Sequence, residues 1–376
     1  MRRGTRTIVL AALAGLALGA MHGCEGHGKY TSAFKEEALA NQASIRSATE
    51  WDAANQAYHA GELDRALGHI ERSIALKGDV VRAHLLHARI LLEKGDADAA
   101  FAAIENGVAV NPDVADLYYY RAVLHERLGE HTAAYEDYTR AMERDTSSVQ
   151  FVIASSEALV SMGRLDDAEA LLVEKSRRFG SSAGIKQALG HIALMKDDLY
   201  AASTLFAEAK VLDPRSATID EDLARVLIEQ SRFAEAEFTL RELLSRPSHT
   251  HRRDLKLLHA RTLIETDEPV EAREILLALA DQRTGSGGDA RVWSHLIDVA
   301  LILGDDRLLE RASSRLIAVA PKQAEGYLGR ALLERKQGRI ADALASAELA
   351  SSRSGGDRRA EALRALLARD LADVSR

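Results

Sequence analysis

Cysteine is nearly absent. The single copy, Cys24, excludes a disulfide within the chain, and its place directly after a basic and apolar leader removes it as a catalytic nucleophile. Aromatic residues are scarce at 5% while hydrophobic residues reach 47%, a combination that fits a helical array rich in Ala and Leu and excludes disorder as the main state. Basic residues are in deficit, 49 Lys and Arg against 57 Asp and Glu, and the formal charge of −8 argues against nucleic acid as a partner. Long apolar runs are missing apart from Ile8 to Ala20, which is too short to cross a bilayer core.

Motifs that carry chemistry are missing too. Gly285-Ser286-Gly287-Gly288 has no strand before it and no Lys-Ser or Lys-Thr after it, so it is not a phosphate cradle. No serine sits in a nucleophile elbow. The acid pairs Asp166-Asp167 and Asp305-Asp306 read as solvated turn residues. His84 and His87 stand three apart on one helix and would offer two ligands to a metal. No third ligand accompanies them and both fall on a packing face, so a structural role is expected. His249-Thr250-His251 is a weaker pair in a loop. The expectation is a protein with no catalytic residue, no cofactor, no metal and no small-molecule substrate.

What the chain does have is a period. Steps of 34 residues from Gly61 land on Gly95, Gly129 and Gly163, and the same step from Ala66 lands on Ala100, Ala134, Ala168, Ala202 and Ala236. Residues 81–114 show one unit: His84, His87, Ala88 and Leu91 share one helical face, and Ala100, Ala103, Ile104, Gly107 and Val108 share another. Gly95-Asp96 separates the two helices and Asn111-Pro112 closes the unit. Alanine at every rung implies close approach, since a larger side chain would push crossing helices apart. Pro112 and Pro214, three periods apart, mark joints where one helix ends and the next begins.

On these residues the chain resembles the tetratricopeptide repeat family. Tyr118 and Ala122 lead to Gly129, then Ala134, Tyr138 and Ala141; later units carry Gly190, Ala202, Phe206, Ala209 and Pro214, then Trp293, Gly304 and Pro321, then Tyr327, Ala331, Gly338, Ala343 and Ala350. Asp197 and Ser231 replace the turn glycine, Lys175 stands at a small position, and Leu309 interrupts the alanine ladder. The resemblance implies an all-α, right-handed α-solenoid of about nine helix-turn-helix repeats over residues 47–354. A capping helix is expected in 355–376, with Ala362, Leu363, Leu366, Leu367 and Leu371 as its apolar side, and a short helix from about Phe34 to Ile45 is expected to cover the other end. It further implies a concave groove lined by the first helices, which binds protein or peptide segments. By register the groove residues are Trp51, Asn55 and Tyr58, then Leu85, Arg89 and Leu92, then Tyr119, Val123 and Arg127, with Ile153, Glu157, Gln187, His191, Glu221, Arg225, Leu257 and Arg261 farther along. Tyr118 is expected to pack.

Residues 1–23 read as a signal peptide, with Arg2, Arg3 and Arg6 ahead of the apolar run. Ala20-Met21-His22-Gly23-Cys24 resembles a bacterial lipoprotein processing site, in which the Cys24 thiol takes a diacylglyceryl group; the alternative is a plain signal peptide cut nearby. Residues 24–46 would then hold lipidated Cys24, a polar tether and the short helix. The expected function is a non-enzymatic scaffold, lipid-anchored to the bacterial cell envelope and facing the periplasm. Glu25 in place of an aspartate after Cys24 leans toward the outer membrane. The alternative is a structural component of an envelope assembly, for secretion, pili or outer-membrane biogenesis, working through its convex face or ends.

Overall fold

The computed structural model describes residues 29–281, 288–353 and 357–374. The expected signal peptide, Cys24, the expected tether through Gly28, and residues 284–287 lie outside the described residues. Among the described residues there are nineteen helices and no strand, so the protein is an all-α helical repeat. The chain divides into two compact units between Leu171 and Leu172.

In the first unit the helices run α1 (Lys29–His59), α2 (Leu63–Leu76), α3 (Val81–Lys94), α4 (Ala97–Val110), α5 (Ala115–Arg127), α6 (His131–Arg144) and α7 (Val149–Ser161). The division falls inside α8 (Leu165–Ser176). The second unit continues with α9 (Ala183–Met195), α10 (Leu199–Leu212), α11 (Ala217–Glu229), α12 (Phe233–Leu244), α13 (Arg253–Glu265), α14 (Pro269–Asp281), α15 (Ala290–Leu303), α16 (Asp306–Val319), α17 (Ala324–Lys336), α18 (Ile340–Arg353) and α19 (Arg358–Val374).

Every hairpin turns on one residue with left-handed backbone. Six of the nine are glycines, Gly61, Gly95, Gly129, Gly163, Gly304 and Gly338, and the other three are Asp197, Ser231 and Asp267 at φ +61°, +59° and +62°. The geometry stops the first helix by satisfying its last carbonyls: Asp96 N donates to Leu91 O at 3.0 Å, and Asp198 N donates to Ala193 O at 2.9 Å. The same bond forms whether the left-handed residue is glycine or aspartate, so the turn is imposed by the packing of the two helices and not by glycine alone. Asp96 and Asp198 then cap the second helix, their side chains accepting from Ala99 N at 3.1 Å and Ala201 N at 2.9 Å. Asp305 does the same for α16, accepting from Leu308 N at 3.0 Å. It is a cap, not the solvated turn acid expected from its sequence.

The ladder is closed to water. Ala66, Ala100, Ala134, Ala168, Ala202 and Ala236 are all 0% exposed. Ala66 gathers with Ala54, Ala57 and Ile70 of its own hairpin and with Ala83, Leu86 and Ile90 of the next first helix. Ala88, Ala100, Ala103 and Ile104 do the same with Leu117 and Leu124. Each apolar seam therefore needs a third helix. At Gly190 the approach is closer still: a methyl group there would lie 2.5 Å from the Phe206 ring. In the eighth hairpin Leu309 stays buried at 4% and Ala312, at 0%, takes the close contact.

Two expectations at the ends are corrected. No separate helix covers residues 34–45, because α1 is continuous from Lys29 to His59. The stretch holds no proline and no glycine before Gly61, so nothing stops the helix at 46. In α19 the packed side is Ala360, Leu363 and Leu367, with Leu371 half-buried. Ala362 and Leu366 point to solvent. The 3.6-residue period starts from Ala360, one position before the acid Glu361, which shifts the apolar stripe away from Ala362.

Replacing Ser231 with glycine removes the strain of a left-handed L-residue, worth about 1–2 kcal/mol, against a smaller loss from the freer unfolded chain. Ser231→Gly is expected to raise stability by about 0.5–1 kcal/mol, read as a higher urea midpoint at unchanged slope. A lower midpoint would show that the serine side chain is needed in the turn.

Candidate functional site

The face built by the first helices of the N-terminal unit collects rings and guanidinium groups. Trp51 on α1 donates from Nε1 to the Arg82 carbonyl at 3.3 Å, and the Arg82 guanidinium lies 4.6 Å over the indole. The Arg89 guanidinium on α3 sits between two rings, 5.0 Å from Tyr58 of α1 and 5.6 Å from Tyr120 of α5. The Tyr58 hydroxyl donates to Glu93. Arg127 closes the row, its Nη1 donating to the Leu92 carbonyl at 2.6 Å.

These contacts follow from the stagger between successive first helices. Trp51 and Arg82, Tyr58 and Arg89, and Arg89 and Tyr120 are each separated by 31 residues, three fewer than the period. A three-residue offset on a helix is close to one turn, so a side chain meets the one a turn earlier on its neighbour. Arg82, Glu93 and Tyr120 were absent from the expected groove. The 31-residue spacing of cation and ring was the signal that could have found them.

Of the expected groove residues, the structure brings together Trp51, Tyr58, Arg89 and Arg127. Asn55 and Leu85 are half-buried on the same helices. Tyr119 and Val123 are half-buried on α5, while Leu92 and Leu257, also expected in the groove, are buried in the core. Tyr119 packs its ring against Tyr120, Tyr138 and Phe151, with centroids 5.2, 5.6 and 5.5 Å away, and Val123 packs on the buried clusters around Ala122 and Leu124. Tyr118 is buried, with Arg144 at 4.0 Å over its ring.

Electrostatics separate this face from its counterpart in the second unit. Among the described residues, Arg82, Arg89 and Arg127 form no ion pair with a carboxylate. Arg89 Nε is sealed from water without an acceptor, and a buried donor left unpaired costs about 1–3 kcal/mol. Burial, and then the bond to Glu93, raises the pKa of Tyr58; burial raises that of Tyr120. Both rings are therefore neutral partners for the cation near pH 7. In the second unit the equivalent charges are already matched. Asp222 accepts from Gln187 at 2.7 Å and faces His191 at 3.1 Å. Glu221 pairs with Arg252 at 3.0 Å and Arg225 at 3.8 Å. Arg252 in turn pulls the Asp254 carboxyl down to about 2 through its hydrogen bonds.

The histidines are structural in their contacts. His84 is buried and its Nε2 donates to the Gly78 carbonyl at 2.7 Å. His87 is half-buried, and His249 shares a bond with the Ser248 hydroxyl at 2.8 Å. Among the described residues no three His, Cys, Asp or Glu side chains converge as a metal site. A second surface lies between the second helices α10 and α12, where an open groove of about 690 Å³ is walled by Tyr200, Val211 and Phe238, exposed at 78%, 80% and 67%. Its rim charges Arg232 and Glu235 neutralise each other at 2.7 Å.

The model of the tetratricopeptide repeat family matches residues 51–106 and 85–148. No curated protein matches the chain. Solved structures similar to it include a thermophilic tetratricopeptide-repeat protein of Thermus thermophilus, 21% identical over 49% of this chain and 100% of that one, at a TM-score of 0.41. A tetratricopeptide repeat protein of Parabacteroides merdae is 13% identical over 76% of this chain and 98% of its own, at a TM-score of 0.43. Pseudomonas aeruginosa pilF is 17% identical over 65% and 94%, at a TM-score of 0.42.

Burial depresses the pKa of His87, since a desolvated imidazole resists protonation. Below the ordinary value of about 6.5 the unfolded chain takes a proton at this position before the folded one does. Stability is therefore full above that value and falls as pH drops toward the depressed one. His87→Gln is expected to flatten this part of the pH–stability curve, measured by urea denaturation between pH 7 and pH 5. An unchanged slope would assign the acid sensitivity to other groups.

Proposed function

We propose that this chain, whose residues 51–106 and 85–148 match the tetratricopeptide repeat family, is a non-catalytic scaffold that holds protein or peptide segments against the first helices of its N-terminal unit. The observation that carries this reading is Arg89, fixed between Tyr58 and Tyr120 and linking three successive first helices without spending its charge on any carboxylate. Rings held at fixed positions offer contact area at little entropic cost, and Arg and aromatic residues are the types that dominate binding surfaces. A pull-down with the wild type and with Trp51→Ala combined with Arg89→Glu tests it. The double variant is expected to keep its helical circular dichroism and lose its partners; identical partner lists would overturn the groove.

A second reading is favoured by the Tyr200, Val211 and Phe238 groove. Contiguous exposed apolar side chains on second helices suit a component of an envelope assembly that is held by its outer face. Crosslinks concentrated on α10 and α12 would favour it over the first-helix face.

The envelope location rests on the sequence. Arg2, Arg3 and Arg6, the apolar run to Ala20 and the single Cys24 support a signal followed by a lipid-modified cysteine, with the repeats facing the periplasm and the outer membrane as the anchoring leaflet's home. No helix among the described residues is long and apolar enough to cross a membrane. Two or more acyl chains are required for stable anchoring, each buried methylene giving about 0.8 kcal/mol. Cys24→Ser is expected to move the protein from the membrane to the soluble periplasmic fraction; persistence in the membrane fraction would remove lipidation from the account.

A further inference from the structure

We propose that the outer groove between α10 and α12 receives the N-terminal end of α1 from a second copy of this chain. The inference rests on the outer-face reading above and names the occupant of that groove. α1 has 31 residues and its hairpin partner α2 has 14, so α1 runs well past the end of α2. Its packing begins near Ser47, which is buried against Ser73 and exchanges side-chain to carbonyl hydrogen bonds with it at 3.0 and 2.8 Å. Residues 32–42 are exposed, about three turns of helix that no other described element covers. Phe34 on this overhang and Ile45 at its root are 68% and 69% exposed.

Ridge and groove match in spacing. Phe34, Ala38, Asn41 and Ile45 follow one another at intervals of four, three and four residues, which keeps them on one face of α1. Tyr200, Thr204, Ala207 and Val211 follow the same intervals along α10, where they wall the groove. Each stripe spans about 16.5 Å at 1.5 Å per residue. Phe238 stands one 34-residue period beyond Thr204, level with the middle of the α10 stripe. The overhang is narrow at its own middle, at Ala38 and Asn41, so the Phe238 ring enters between Phe34 and Ile45 as a knob enters a hole. A groove facing a copy of itself would leave that space unfilled.

The area is that of a small but specific contact. A buried aromatic side chain covers about 150–250 Å², so Phe34, Tyr200 and Phe238 bring about 300–500 Å² of exposed ring. Ile45, Val211 and the flanking chains extend this to the low end of specific interfaces, about 1,200 Å² in all. Charge neither drives nor opposes it. The overhang carries Lys35 and Arg46 against Glu36 and Glu37, and the groove's Glu208 and Glu235 are already held by Lys186 at 2.6 Å and Arg232 at 2.7 Å. α1 contains no glycine or proline, so the overhang has no hinge on which to fold back onto its own chain.

Thiol crosslinking and sedimentation of the full chain test this, in a Cys24→Ser background that leaves the introduced cysteines as the only thiols. Copies carrying Ala38→Cys are mixed with copies carrying Ala207→Cys and treated with a short bis-maleimide. The mixture is expected to give a crosslinked pair holding one of each, and either variant alone to give none. The average mass is expected to rise with concentration, with a Kd on the order of 10 μM that changes little between low and high salt. Phe34→Glu and Phe238→Glu are each expected to weaken this about tenfold or more with helical circular dichroism unchanged, while Leu39→Glu, on another side of α1, stays within about twofold. Links between two Ala207→Cys copies would overturn α1 as the occupant. A link inside single chains carrying both cysteines at high dilution would overturn the second copy. If the mass stays constant and no link forms while Tyr200→Glu still removes crosslinks from α10 and α12 to other envelope proteins, the second copy is wrong and the outer-face reading stands; if those crosslinks are also unchanged, both fall.

Discussion

The structure depends on how near two crossing helices can come when the side chain between them is a single methyl group. At Ala66, Ala100, Ala134, Ala168, Ala202 and Ala236 the contact is fully closed, and at Gly190 even a methyl would strike the Phe206 ring. Close crossing makes each hairpin's apolar face narrow, and a narrow face leaves surface that only another helix can cover. The cluster around Ala66 already includes Ala83 and Ile90 of the following first helix. A hairpin here is a unit of construction and not a unit of stability.

The same closeness sets the stagger that produces the candidate site. First helices packed by small residues slide by about one turn relative to the period, and that slide sends Arg82 over Trp51 and Arg89 between Tyr58 and Tyr120. The chemistry of the face is then decided by which charges find partners inside the protein. In the second unit Glu221 and Asp222 consume the cations and donors next to them. In the first, Glu93 and Glu126 accept from tyrosine hydroxyls, while Arg82 and Arg89 lie over aromatic rings and Arg127 donates to a main-chain carbonyl.

Most of the fold was legible in the sequence because its determinants are local and repeated. A turn residue every 34 positions and an alanine a few residues later specify the hairpins, and the left-handed turn holds even where Asp197, Ser231 or Asp267 stands in for glycine. The ends were less legible because they lack the second copy that fixes the phase. Nothing in residues 34–47 says whether a helix stops, and the apolar residues of α19 permit more than one stripe until Ala360 is seen to be the buried one. The site was legible by half. Tyr118, Tyr119 and Tyr120 are consecutive and differ by about 100° in direction on the helix, so composition cannot tell which one packs on Phe151 and which one faces Arg89.

The sequence by itself determined the helix pairs, their turns and the small residues at their crossings, since each of these is settled within one period by backbone preference and side-chain volume. The tertiary structure alone decided which of the neighbouring tyrosines meets a cation and which arginines remain unpaired. Those outcomes depend on the stagger between helices about thirty residues apart in the chain, and it takes a shift of only one turn to exchange one partner for another.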